Sequence, residues 1–222
     1  MSYSQELRAK AAAIWDAAFN HPFVRGIGDG SLPIEKFRFY IRQDYVFLIE
    51  FSRVLALASA RAVDLDVMSR FASLLDATLN GEMELHRGYC GRFGISRADL
   101  ETTAAAPVTH AYTRHLLAVA HSGTVAEIAA SLIPCQLGYA EIGRMLAARG
   151  EPASQPLYAE WIRIYASAEV QEIAAWTCAL LDRLVEDGGV AERTRISEIF
   201  MASSRYEYLF WEMAYSMQDW PL

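Results

Sequence analysis

Residues 124–150 read TVAEIAASLIPCQLGYAEIGRMLAARG. Ile128, Leu132, Cys135, Tyr139, Ile142 and Leu146 recur at steps of four and three, the spacing of one helix face. Thr124 is placed to cap the first turn and Gly150 to close the last. Pro134 sits in mid-pattern without an N–H, which frees the carbonyl of Ala130 and predicts a kink. Cys135 follows it on the inward face, with Tyr139 one turn further on. A lone thiol on an apolar stripe is ordinarily a small core residue, because cysteine is among the most buried residue types. The rest of the chain decides whether Cys135 is more than that.

The same period runs through most of the sequence. Ser4 to Asn20 reads as a first amphipathic helix, broken by His21-Pro22, and VRGIGDGS reads as a glycine-containing loop. Pro33 opens a long helix that meets no breaker before about Ala62. Asp64 caps a third, from Leu65 to Phe93, in which Gly81 and Gly88 are weak points. A short turn begins at Ser96, a long segment at Pro107, another at Pro156, one capped near Ser167, and a last from about Ala191 to Met217. No stretch alternates convincingly with period two, and no linker divides the chain. The expectation is one all-α domain over residues 1–222, a bundle of about eight helices.

Composition narrows the function. The chain of 222 residues is 53% hydrophobic and 21% charged, with 27 acidic and 20 basic residues and a net charge of -7. Its only lysines are Lys10 and Lys36, so little is available to neutralise phosphates, and direct nucleic-acid binding is disfavoured. No apolar run reaches membrane-spanning length, and the first residues are polar and amphipathic rather than a signal peptide. Three widely spaced cysteines with no CxxC pair fit free thiols in a reducing cytoplasm. None of the five histidines completes a Glu-x-x-His pair, which argues against a carboxylate di-metal site. His21, before Pro22, reads as a helix-end residue.

Two helices carry acids inside apolar faces. Phe37, Tyr40, Asp44, Phe47 and Phe51 share one stripe, so Asp44 would be desolvated and would need a donor or cation to offset that. Glu207 lies among Ser203, Phe210, Trp211 and Ala214 at helical spacings, a setting suited to an acid/base. Its ordinary alternative is a surface pair with Arg205. Tyr112 and Tyr165 taken alone read as core tyrosines with satisfied hydroxyls.

The stretches FYIRQDYVFL around Asp44, IPCQLGY around Cys135, PLYAEWIRIYAS around Tyr165 and SSRYEYLFWEMAY around Glu207 stand in this order along the chain. Together they resemble the TenA, or thiaminase II, family over nearly the whole length. The resemblance implies a helical bundle of the haem-oxygenase-like type without haem, usually assembled as a homotetramer. It implies hydrolysis at the exocyclic methylene of an aminopyrimidine, with thiamin or 4-amino-5-aminomethyl-2-methylpyrimidine as the small-molecule substrate, and no metal or other cofactor. By position, Cys135 matches the nucleophile and Glu207 the acid/base. Asp44 matches the carboxylate that holds the aminopyrimidine, Tyr112, Tyr139 and Tyr165 pocket tyrosines, and Phe47 and Phe210 ring-contacting aromatics. Where the family commonly has an aromatic two residues after the cysteine, this chain has Leu137.

Other classes compete with this reading. One is a transcription regulator or non-enzymatic pyrimidine-binding protein, and a regulator would shift DNA in a gel at physiological salt. Another is a haem- or other cofactor-dependent oxidase on the same bundle, whose haem would show in the absorbance spectrum. Trp161, Trp176 and Trp220 are the aromatics expected at subunit contacts.

Overall fold

Three long helices set the frame of the protein. A computed structural model describes residues 1–221. Among them are helices α1 (Tyr3–Lys10), α2 (Ala12–Phe19), α3 (Pro22–Asp29), α4 (Ile34–Arg61), α5 (Leu65–Ala77) and, after a π-helical turn at Thr78–Glu82, α6 (Met83–Arg92). Then come α7 (Arg97–Glu101), α8 (Pro107–Ser122), α9 (Val125–Arg149), α10 (Pro156–Tyr165), α11 (Ala168–Leu184) and α12 (Val190–Ser216). The all-α expectation holds, with twelve α-helices in place of about eight.

The extra helices arise where the sequence pattern was read too coarsely. The first amphipathic segment divides at Ala11 into α1 and α2. The expected VRGIGDGS loop is instead most of α3, because its glycines allow close packing rather than a turn. A Cβ on Gly28 would lie 2.7 Å from Leu146 Cδ2, and one on Gly26 would lie 3.0 Å from Leu32. The expected third helix is interrupted by the π turn at Gly81, whereas Gly88 lies undisturbed inside α6.

Helix α9 forms the middle of the bundle, packed along α11 and α12 and touching α8 and α10. Thr124 caps it reciprocally: its Oγ1 accepts from Glu127 N at 3.2 Å, while Glu127 Oε2 accepts from Thr124 N at 2.8 Å. Gly150 ends it, as expected. The helix continues through Pro134 as one element, and every residue from Ala126 to Pro134 is buried. Its first half is therefore enclosed on all sides, not only along the predicted stripe. Helix α4 packs along α5 and α8 and turns Phe37, Tyr40, Asp44, Phe47 and Phe51 inward, each no more than 6% exposed.

No helix among the described residues is long and apolar enough to cross a membrane. One of the expected surface tryptophans is misplaced: Trp161 is buried, and its indole donates to Tyr40 Oη at 3.3 Å. Trp176 is half-buried against Phe71, and Trp220 is exposed.

Helices α9 and α10 meet most closely at Gly143, where an added Cβ would fall 2.4 Å from the backbone carbon of Tyr165. Backbone cannot yield as a flexible side chain does. Gly143→Ala is therefore expected to destabilise the fold by about 1–3 kcal/mol, the usual cost of overpacking. A urea-unfolding midpoint equal to that of the wild type would contradict the close approach.

Candidate active site

Cys135, Tyr139, Asp44, Phe47 and Tyr165 converge from α4, α9 and α10 on a cavity of about 430 Å³. Its walls are otherwise mostly aliphatic, including Leu48, Leu55, Leu74 and Ile173. Such a shape, apolar with a few convergent polar groups, suits a flat organic ring. Tyr139 is flanked by Tyr165 and Trp211, with ring centroids at 4.8 Å and 5.1 Å, and its hydroxyl accepts from Tyr40 Oη at 3.3 Å.

The remaining predicted residues, Tyr112, Glu207 and Phe210, stand one layer behind that wall. Phe47 covers Tyr112 and Phe210 at centroid distances of 5.1 Å and 5.9 Å. Tyr112 donates to Glu207 Oε1 at 2.6 Å, so the carboxyl is held inside the protein and does not pair with the exposed Arg205. Leu137 is half-buried against the core and does not line the cavity, so the departure at this position leaves the pocket wall untouched.

The electrostatics of the cysteine are unusual for a nucleophile. Burial pushes the Cys135 thiol well above its ordinary pKa, and the charges of Glu207, Asp44 and Glu82 push it the same way. The thiol is therefore protonated at rest and needs a base. Glu207, against which it lies, is raised by burial to about 7 despite the hydrogen bond from Tyr112. A carboxyl titrating there can both take and return a proton near neutral pH.

Asp44 has the partner that its burial demanded. His86 Nε2 lies 2.7 Å from Asp44 Oδ2, and His86 Nδ1 lies 2.8 Å from the carbonyl of Glu82. A carbonyl can only accept, so Nδ1 carries a proton. Burial pulls the His86 pKa down, but the hydrogen bond and charge of Asp44 and the charge of Glu82 outweigh it, and the net shift is upward. The pair is read as imidazolium and carboxylate.

Sequence reasoning missed His86 and Glu82. Their signal was present, an acid and a histidine four residues apart beside Gly81, but a π turn ends at Glu82, and beyond it His86 meets Asp44 on α4 while Glu82 meets Tyr165 on α10. Such turns occur often at functional sites. Glu82 is half-buried, lines the cavity, and accepts from Tyr165 Oη at 3.1 Å.

A helical bundle that presents a thiol against a buried carboxyl at an aromatic cavity belongs to a defined class, and comparison identifies it. The chain matches the model of the TENA/THI-4/PQQC family over residues 8–217. It belongs to that family. It is 44% identical over 220 residues to an aminopyrimidine aminohydrolase of Halalkalibacterium halodurans, covering 99% of this chain and 98% of that one. A TenA homologue protein from P. horikoshii OT3 superposes with a TM-score of 0.89 at 30% identity, covering 97% of this chain and 99% of that one. A domain with a haem oxygenase-like fold from Shewanella denitrificans, 16% identical, superposes at 0.75 over 96% of this chain and 92% of its own, which places the fold alone.

The Asp44–His86 pair carries a pH signature. Because the His86 pKa is raised on folding, its stabilisation is fully present below the unfolded value of about 6.5 and is lost as pH rises through the folded value. Urea titrations from pH 6 upward are expected to show the wild type's advantage over His86→Gln shrinking with pH. An advantage that grows with pH would mean a neutral histidine.

Proposed function

We propose that this protein hydrolyses aminopyrimidines at the exocyclic methylene, converting 4-amino-5-aminomethyl-2-methylpyrimidine, and thiamin, to 4-amino-5-hydroxymethyl-2-methylpyrimidine in thiamin salvage. The observation that carries the reading is the Cys135 thiol, open to an aromatic cavity and backed by a carboxyl raised to about 7. The name borne by the Halalkalibacterium relative, matched over almost the full length of both chains, supports it.

In this reading the flat ring lies among Phe47, Tyr139 and Tyr165, with Asp44 accepting from its 4-amino group. Glu207 takes the thiol's proton, and the sulfur adds to the ring carbon beside the one bearing the CH2–X arm. The electron-poor ring accepts the negative charge, X departs, and an exocyclic methylene forms. Glu207 passes its proton to the released amine or to solvent, then takes one from the water that adds to the methylene. Returning that proton to the departing sulfur restores both the thiol and the aromatic ring. Sulfur suits both ends of this cycle, being a strong nucleophile and a good leaving group. Tyr112 holds Glu207 and Phe210 backs the ring wall, so both act through the residues in front of them.

The same reading extends to a homotetramer working in the cytoplasm. The exposed apolar side chains Val63, Leu65 and Trp220 support burial against other copies. Light scattering of the purified protein gives the copy number.

Cys135→Ser is expected to keep the helical circular-dichroism spectrum and lose nearly all turnover of either substrate, while Cys90→Ser and Cys178→Ser stay active. Retention of most activity without the Cys135 thiol would remove the covalent route. Glu207→Gln is expected to lower the rate by about a hundred- to ten-thousandfold. Because Glu207 must begin ionised to accept the thiol's proton, wild-type kcat/KM should fall as pH drops below about 7. That acid limb should be absent from the Gln variant's residual activity, and its persistence there would assign the limb to another group.

A further inference from the structure

The catalytic scheme leaves two cavity carboxylates without a task, the half-buried Glu82 and the exposed Glu169. Asp44, Glu82 and Glu169 line the cavity, and no lysine or arginine does. Burial raises the pKa of the Glu82 carboxyl and the charge of Asp44 adds to that; the positive group that opposes them is His86, which Asp44 already engages. Glu82 receives one hydrogen bond, from Tyr165, and Gln136 Oε1 is buried beside the same cavity without a partner among the described residues. The lining is therefore rich in acceptors and poor in positive charge.

Asp44 and Glu82 are neighbours joined through His86, which bonds the carboxylate of one and the carbonyl of the other. Glu82, half-buried, lines the same cavity as Asp44 and Cys135, whereas Glu169 is exposed. In the reading above, Asp44 and Cys135 are committed to the 4-amino group and the attacked ring carbon. The 5-methylene arm lies between those two on the ring, so Glu82 is the half-buried acceptor left for it.

We propose that Glu82 holds the positively charged leaving group on the 5-methylene arm, so that the cavity selects cationic arms over neutral ones. This rests on the aminopyrimidine reading above. Alkyl ammonium groups titrate well above neutral pH, so the aminomethyl arm arrives as an ammonium. Held so, it departs as neutral ammonia: the C–N bond breaks with its electron pair going to nitrogen, and the ring's added electron pair forms the exocyclic C=C bond. Glu82 neither gains nor loses a proton in this step. Hydrolysis then leaves a neutral hydroxymethyl arm, which forfeits the ion pair and favours release of the product. The thiazolium of thiamin obeys the same charge rule. The π turn at Thr78–Glu82 is what brings the carboxylate to this position.

The test is isothermal titration in a Cys135→Ser background, which holds the substrate without turning it over. The probes are the 5-aminomethyl and 5-hydroxymethyl forms of 4-amino-2-methylpyrimidine. A charge-assisted hydrogen bond predicts tighter binding of the aminomethyl ring by about ten- to hundredfold. Adding Glu82→Gln, which keeps an acceptor for Tyr165, should abolish that preference and leave hydroxymethyl affinity within about twofold, since only the charged contact is lost. Equal affinity of the Cys135→Ser protein for the two rings overturns the proposal whether or not the Gln variant folds. So does a Gln variant that weakens both rings alike. If neither ring binds, the aminopyrimidine reading itself fails.

Discussion

The hydrogen bond between His86 and Asp44 is the constraint on which the cavity depends. A carboxylate at 5% exposure within an aromatic stripe is untenable without a donor, and a histidine from α6 supplies it. That donor is oriented by the Glu82 carbonyl at the end of the π turn, 2.8 Å from His86 Nδ1. The segment around this turn therefore supplies the partner of a buried acid on α4, fixes the orientation of that partner, and places the Glu82 side chain on the cavity. Removing the imidazole would strand Asp44, and the resulting cost exceeds what the intact pair contributes.

A second consequence concerns the nucleophile. Three acidic groups near Cys135 disfavour its thiolate, the opposite of the electropositive setting in which reactive cysteines are usually found. The protein thereby keeps the thiol protonated, with the base in contact. Activation is then tied to proton transfer within one pair rather than to a standing negative charge, and the acidic cavity stays hospitable to cationic ligands.

How far the sequence could be read varied with the kind of signal. Long helices declared themselves through period and caps, as Thr124 and Gly150 did for α9. Asp44 and Glu207 stood out because an acid on an apolar stripe is informative wherever it occurs. The glycines of α3 misled, since a glycine that admits a neighbour's side chain looks the same in sequence as one that makes a turn. Trp161 was taken for a surface residue because a helix of ten residues, buried on one face only, gives little indication of which aromatic points inward. His86 and Glu82 escaped because a π turn shifts the register of everything after it, and α-helical spacing then assigns the wrong face. The split of the predicted site into a lining layer and a supporting layer is likewise a matter of depth, which periodicity does not encode.

The complete enclosure of the first half of α9 reaches beyond packing. Amide protons of a segment buried on every side exchange with solvent only when the whole molecule opens, whereas peripheral turns exchange through small local fluctuations. Cys135 stands just past this enclosed run, on a part of the chain whose burial predicts slow exchange. Its encounters with small molecules are consequently governed by entry into the cavity and not by breathing of the helix that carries it. An alkylating reagent at this thiol would thus time the traffic through the pocket mouth.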